Sequence, residues 1–240
     1  MKLFNWANIR LVLMFILVIF LFSFTSKRSD QRKLTKCKIT FVEDNAPFIK
    51  QEVVNKLLIE NNEEVTSIEK EDLDLNMLEK RLNAHKMIEK SDVFLSIDGI
   101  LKSVVKQKTP IARIFENGSS FYIDYKGDKM PLSTNFTARV PLVSGRINKN
   151  NNEDLAALFR LIYDDSFLKK NIIGIQIMPQ GNLLMHNRNF DYQIDFGTLI
   201  NVEQKFKNYK AFFQKAVLDS SLYKYKKIDL RFSEQVVCTK

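Results

Sequence analysis

Residues 11–26, LVLMFILVIFLFSFTS, contain no charged side chain and almost no polar one. Such a run must be taken out of water whatever else the chain does. A helix that crosses a bilayer needs about 20 predominantly apolar residues, with a lower limit of about 17. Trp6, Ala7 and Ile9 on one side, with Thr25 and Ser26 tolerated on the other, bring the run to that length. A cleaved signal peptide shares the basic start and apolar centre, but a small-x-small cleavage site follows it. Phe24, Thr25 and Ser26 supply no such site, so the segment reads as an uncleaved transmembrane signal anchor. Residues 1–10 are then a short tail, and residues 27–36 a polar, basic linker.

Charge alone leaves the orientation open. Lys2 and Arg10 precede the anchor, while Lys27, Arg28, Arg32, Lys33, Lys36 and Lys38 follow it. The positive-inside tendency favours a cytoplasmic C-terminal side, but long folded domains translocate largely regardless of charge. The formal net charge of +9 suits either nucleic acid or an anionic membrane surface. The basic residues are spread widely, apart from KRSDQRKLTKCK directly after the apolar run. A cluster in that position contacts lipid headgroups more often than DNA. No groove-reading motif or RNA-binding signature is present, so the reading is a membrane partner and no nucleic acid. Cys37 and Cys238 fit no zinc or redox spacing. They read as unpaired small apolar residues on strands, unless the fold brings them close enough to bridge.

The remaining chain switches between helical and strand periodicity. KITFVED (38–44) is a strand candidate. Pro47 suits a first helical turn with Asn45 or Ala46 at the cap. Ile49, Val53 and Leu57 then recur at helical spacing, and Val54 and Leu58 widen the stripe. A second helix is expected from Asp72 to Ile88, with Leu75, Leu78 and Leu82 on its apolar face. Val93, Leu95 and Ile97 alternate up to Asp98-Gly99, a hairpin signal, and a second run reaches Val104 and Val105. Residues 37–109 thus read β-α-α-β-β, with two helices to cover one face of a three-stranded sheet.

From residue 110 the pattern is mixed. Strands with turns at Asn117-Gly118 and Lys126-Gly127-Asp128 lead to the extended piece ARVPLVSG. NEDLAALFRLIYDDSFLKK (152–170) is an amphipathic helix with Leu155, Leu158, Phe159 and Ile162 on one face. Residues 171–197 give three strands divided by Pro-Gln-Gly and Asn-Arg-Asn turns, and residues 201–217 a helix striped by Val202, Phe206, Tyr209 and Phe213. In KIDLRFSEQVVCTK, Ile228, Leu230 and Phe232 alternate with Asp229, Arg231 and Ser233, and Val236-Val237 begin another strand. Residues 110–240 therefore read as an α+β unit, a larger sheet with two helices.

Catalytic chemistry finds little footing. His85 and His186 have no second histidine or carboxylate at a metal-ligand spacing such as His-Glu-x-x-His. There is no Gly-x-Ser-x-Gly elbow, phosphate loop or dinucleotide fingerprint. Asp164 and Asp165 are neighbours near a helix end and point apart, which reads as a solvated face. Asp124, Asp128 and Lys129 surround a glycine turn, where aspartate serves local hydrogen bonding. Asn117-Gly-Ser and Asn135-Phe-Thr match the glycan acceptor pattern, which matters only in a secretory host. The expectation is a non-enzyme with no catalytic residue, metal or cofactor.

Four stretches carry a family resemblance. DVFLSIDGILKSVVKQKTPIARI (92–114), YIDYKGDKMPL (122–132), VPLVSG (140–145) and KIDLRFSEQVV (227–237) stand in this order behind a signal anchor. Together they resemble the bacterial cell-division family FtsQ/DivIB, over essentially the whole chain. The resemblance implies an α+β fold: a single transmembrane helix, a POTRA-type β-α-α-β-β domain at 37–109, and a mixed β domain with two helices at 110–240. It implies a bitopic scaffold in the inner membrane at the division septum, with the C-terminal body periplasmic. Its partners would be FtsB- and FtsL-like proteins, and the complex would link early division proteins to septal peptidoglycan synthesis. The POTRA domain would contact other divisome proteins. The resemblance assigns partner binding to Arg231, Phe232, Ser233, Gln235, Val236, Val237 and Cys238, through strand addition to an open sheet edge. Arg231 matches the arginine of the family's Asp-Leu-Arg ending, and would pair with an acidic partner residue. Phe232 replaces the following tyrosine, and Ser233-Glu234-Gln235 a glycine-containing turn. A second partner-binding arginine of some members has no counterpart at 182–186, Arg188 being nearest. Two rivals stay open: a membrane-anchored periplasmic hydrolase whose carboxylates converge only in space, and a POTRA-bearing secretion or assembly factor.

Overall fold

The apolar N-terminal run is helical in the computed structural model, which describes residues 6–30, 34–42, 47–59, 73–116, 118–145, 152–232 and 234–240. Helix α1 spans Trp6–Asp30, and within it Asn8–Ser26 is long and apolar enough to cross a membrane. None of that window is buried against protein. An apolar helix with no protein cover needs lipid around it, which fits a single-pass membrane protein. The chain divides into two units, residues 1–45 with 49–107, and residues 46–48 with 108–240.

The first unit follows its hydrophobic spacing. Strand β1 (Lys36–Phe41), helices α2 (Gln51–Leu58) and α3 (Leu75–Asn83), and strands β2 (Ile88–Leu95) and β3 (Ile100–Gln107) appear in that order. The sheet order is β1-β3-β2, with β1 parallel and β2 antiparallel to β3. Val54, Leu58, Leu78 and Leu82 come from the helices to pack on Ile39, Val93, Leu101 and Val105. The Asp98-Gly99 hairpin forms, with Gly99 at φ 77°. Ile97 stands exposed in the turn and not on the strand.

Two helix boundaries differ from the periodicity. Helix α2 begins at Gln51, because Lys50 is extended and the N–H of Ile49 is drawn onto Gln107 Oε1 at 3.1 Å. The expected caps at Asn45 and Ala46 lie outside the described residues, as does Asp72. Helix α3 is capped by Asp74, whose carboxylate accepts from the N–H of Met77 at 3.0 Å. It stops at Asn83 and not at Ile88. The Asn83 amide oxygen accepts from the N–H of Ser91 at 2.7 Å and from its hydroxyl at 3.0 Å. His85 Nδ1 accepts from the N–H of Met87, so both polar side chains favour a turn over a further helical turn. Glu79 of α3 also accepts from the N–H of Val93, at 3.4 Å. The free side of β2 is thus occupied by α3 side chains.

The second unit is built on one nine-stranded sheet. Its strands are β4 (Pro110–Glu116), β5 (Ser119–Asp124), β6 (Lys129–Met130), β7 (Leu142–Gly145), β8 (Ile172–Ile177), β9 (Leu183–Asn187), β10 (Gln193–Gly197), β11 (Lys227–Asp229) and β12 (Val237–Thr239). The order across the sheet is β12-β11-β10-β9-β8-β7-β4-β5-β6. One register row runs Ile114, Val143, Ile175, Met185, Ile194, Ile228 and Cys238. Successive strand residues face opposite sides, so this row is a continuous apolar face. Helices α4 (Asn152–Asp164), α5 (Ser166–Asn171) and α6 (Val202–Leu218) cover it, through residues such as Leu158, Phe159, Leu168, Phe206 and Tyr209. Their placement follows from connectivity. Strands β7 and β8 are parallel, as are β10 and β11, and parallel neighbours need a crossover.

The helical stretch 152–170 is interrupted at Asp165. This residue is extended, and its carboxylate accepts from the N–H groups of Phe167 and Leu168 at 3.0 and 2.9 Å. It also pairs with Lys210 of α6. Asp164 accepts from the Tyr125 hydroxyl at 2.8 Å. Asp164 is exposed, as a solvated face requires, whereas Asp165 is half-buried and held by its own N–H donors and Lys210. Asp124 does serve its turn, accepting from the N–H groups of Lys126 and Asp128 while pairing with Lys108 at 2.6 Å. Deeper in the core, the hydroxyls of Tyr192 and Tyr209 lie 2.9 Å apart, and Tyr209 accepts from Asn187 at 3.0 Å.

Burial raises the Asp165 carboxyl, but Lys210 and the two N–H donors outweigh it and hold the group below its usual range. Its contribution is present at neutral pH and is lost as pH falls through that depressed value. Asp165→Ala is expected to lower unfolding stability at pH 7 by roughly 1–2 kcal/mol, the worth of a cap with a charged partner. The gap between variant and parent should narrow in acid, measured by urea unfolding of detergent-solubilised protein.

Candidate functional site at the C-terminal sheet edge

The chain returns to the sheet after α6, and β11 pairs parallel to β10. The junction is stitched by backbone bonds: the N–H of Gln193 donates to Lys226 at 2.9 Å, and that of Leu230 to Asp195 at 2.8 Å. Strand β12 then folds back antiparallel on β11 and forms the outermost strand, with Val237 opposite Asp229 and Cys238 opposite Ile228.

The register places Asp195 directly beside Asp229. Neighbouring strands lie about 4.8 Å apart, so two carboxylates meet on the face away from the helices. Cations neutralise them. Arg231 Nε donates to both Asp229 oxygens at 3.0 Å, and Nη2 donates to Oδ2. Arg231 Nε also stands 3.5 Å from Asp195, and Lys227 Nζ is 2.8 Å from it. The hydrogen bond from Arg231 holds the Asp229 carboxyl below its usual range against the opposing effect of burial, and Asp229 in turn raises the guanidinium.

On the helix side, Lys205 is only 4% exposed. Its ammonium donates to the carbonyl oxygens of Phe196 and Thr198 at 3.0 and 2.7 Å and lies against the Phe196 ring. Burial lowers its pKa, while Asp195 and Asp229 act to raise it. Gly197 has φ 70°, and a Cβ there would lie 2.7 Å from Arg231 Cγ. Only glycine lets the arginine cross at that point.

The residues expected to bind a partner are divided by this arrangement. Arg231 lies past the end of β11 and holds its own aspartates, with half of its side chain, 51%, still exposed. Phe232 and Gln235 are exposed, and Ser233 lies outside the described residues. Val236 packs partly on the core just before β12. Val237 on β12 is exposed, and Cys238 is partly buried, which raises its thiol pKa. Leu230 is buried but, like Phe232, lies beyond the strand, so the expected strand 228–232 is shorter than its alternation. Cys37 and Cys238 are both free thiols. His186 lies on β9 opposite Gln193, away from this edge strand.

Asp195, Lys227, Lys205 and Gly197 were not anticipated. A signal for the first two exists in the repeated Gln-Ile-Asp of 193–195 and Lys-Ile-Asp of 227–229. An aspartate directly after a core isoleucine, present twice, calls for cations nearby.

A family model described as FtsQ/DivIB, C-terminal related, matches residues 109–239. The chain belongs to the FtsQ/DivIB family. Membership gives it a role in bacterial cell division. A solved structure of the major extracytoplasmic domain of the trans isomer of the cell division protein DivIB from Geobacillus stearothermophilus is also similar. The identity is 14%, the match covers 47% of this chain and 95% of that one, and the TM-score is 0.35. No curated protein matches. Within the FtsQ/DivIB match, β4 to β12 are all included, so the acidic pair and the outermost strand are parts of the family region.

Asp229→Asn should lower stability by about 1 kcal/mol at pH 7, the net worth of a partly exposed charged hydrogen bond. The depressed native pKa means this stability is fully present above the unfolded carboxylate range near pH 4 and is lost as pH falls through the lower native value. Urea unfolding should show the full difference at pH 7 and a shrinking one as the pH is taken below about 4. Gly197→Ala should cost roughly 1–2 kcal/mol by the left-handed backbone alone, read as a lowered melting temperature.

Proposed function

We propose that this protein is a bitopic divisome scaffold, in which residues 37–109 form a POTRA domain and residues 110–240 the β domain of the family. Its C-terminal body lies on the periplasmic side of the inner membrane, at the septum. The β domain captures FtsB- and FtsL-like partners and links early division proteins to septal peptidoglycan synthesis, while the POTRA domain meets other divisome proteins. The observation that carries the reading is the position of β12 as the outermost strand of the nine-stranded sheet.

An unpaired strand edge offers N–H and C=O groups to a partner strand. Which residues offer them follows from alternation. Thr239 turns its carbonyl inward, because it accepts from the N–H of Lys226 at 2.8 Å. Backbone groups of Cys238, the preceding residue, then point outward, and those of Val237 point inward toward β11. Exposed Val237 and Phe232 supply apolar contact beside that backbone. Arg231, held in place by Asp229 and Asp195, offers its exposed side to an acidic residue of the partner.

Cys238→Pro removes one outward donor without deleting a large side chain. It should weaken co-purification with the cognate FtsB-like protein by about tenfold, the loss of one well-formed hydrogen bond with its steric conflict. Cys238→Ala keeps the N–H and should bind as the parent does. Equal capture by the proline variant would sink strand addition through this residue.

A further inference from the structure

Strand register gathers several chain segments at one end of the nine-stranded sheet. Ile172, which starts β8, lies opposite Asn187, which ends β9. Gln193, which starts β10, lies opposite His186 and beside Lys227, which starts β11. Lys227 in turn lies opposite Thr239, which ends β12. The segments just outside these strands therefore share that end, and they carry Lys170, Arg188, Lys224, Lys226 and Lys240 against Asp191. The last turn of α6, which leads into the approach to β11, adds Lys215 and Asp219. The Asp219 carboxylate is occupied locally, accepting from the N–H of Ser221 at 3.0 Å.

Apolar side chains project from the same segment. Val217 and Leu218, the last residues of α6, are 48% and 87% exposed, and Tyr223 is 80% exposed. The turn that presents them is tightly made. The N–H of Ser220 donates to Val217 at 3.2 Å and that of Ser221 to Ala216 at 3.0 Å, while Leu222 is buried as the anchor. The Tyr223 ring rests against Phe190 of the β9–β10 turn with 5.0 Å between ring centres. Two of the three apolar residues are aliphatic and stand on a terminal helical turn. Surrounded by lysines, they have the composition of a surface that enters a lipid headgroup layer. Lysine ammoniums are attracted to anionic headgroups, and tyrosine suits the interface. The chain also carries its own membrane helix, so a bilayer is its constant neighbour at high effective concentration.

We propose that this end of the second unit docks on an anionic phospholipid surface. Leu218, Val217 and Tyr223 enter at headgroup level, and Lys215, Lys224 and Lys226 face the lipid phosphates. The surface is separate from the outward side of β12, so docking does not depend on strand addition.

The test uses the full chain in lipid nanodiscs. Trp6 is the sole tryptophan, so Trp6→Phe clears the background and Leu218→Trp places a reporter at the tip. A control reporter, Ser119→Trp, sits by the β4–β5 turn. Strands β4, β7 and β8 are parallel, which puts that turn at the opposite end of the sheet. In discs containing phosphatidylglycerol, the Leu218→Trp reporter should shift to the blue and be quenched by brominated acyl chains, and the control should not. Replacing Lys215, Lys224 and Lys226 by Gln should weaken docking roughly fivefold per lysine, about a hundredfold together, and abolish the quenching. Thermal melts matching the parent show that the exposed substitutions leave the fold intact. Quenching no greater than in the control, or equal in pure phosphatidylcholine, overturns the proposal. Shielding that arises only when a purified division partner is added assigns the tip to protein and overturns it as well.

Discussion

Two aspartates side by side on adjacent parallel strands repel one another, and the outer third of the large sheet depends on how that repulsion is removed. Asp195 and Asp229 are paired by register, and Arg231 and Lys227 supply the opposing charge. Both cations come from the same short closing segment as Asp229, so the strand that creates the electrostatic problem also brings its solution. This fixes where β11 ends and hence where the turn to β12 begins. Lys205 anchors the carbonyl groups at the other face of the same junction. A buried lysine costs desolvation, and the two carbonyl hydrogen bonds together with the nearby carboxylates offset it.

The parallel pairing of β10 and β11 also explains the helical layer. A hairpin could not join parallel strands, so α6 must pass over the sheet between them, and its Phe206 and Tyr209 cover the apolar row beneath. The pair α4 and α5 does the same between β7 and β8. Strand direction demands a crossover at these two places, and there the crossover is helical, with apolar stripes matched to one register row.

Much of this was legible because it rests on local pattern. The apolar anchor, the β-α-α-β-β order, the Asp98-Gly99 hairpin and the stripe of α6 follow from period and turn chemistry alone. What escaped depends on contacts distant in sequence. Helix α3 stops early because Asn83 is claimed by Ser91, and the stretch 152–170 breaks because Asp165 is claimed by Lys210 and its own N–H donors. Lys205 looks like an ordinary surface residue in KFKNYK until the end of β10 is laid beside it. Arg231 was legible as a residue of consequence from the family ending. Its commitment to Asp195 was not, since that requires knowing which strands are neighbours. Strand lengths at the C-terminus failed for a related reason: alternation continues through Phe232, whereas pairing stops at Asp229.

The small sheet treats its rim differently from the large one. Asn83 and Glu79 occupy the N–H groups of Ser91 and Val93 along β2. A strand with two of its donors already engaged by its own helix is a poorer template for another chain there. Sealing that rim limits the molecule's valence: a visiting strand that tries to extend the first unit along β2 must displace two side-chain bonds before it makes any of its own. Edge-to-edge pairing through β2 therefore competes with bonds the chain already makes.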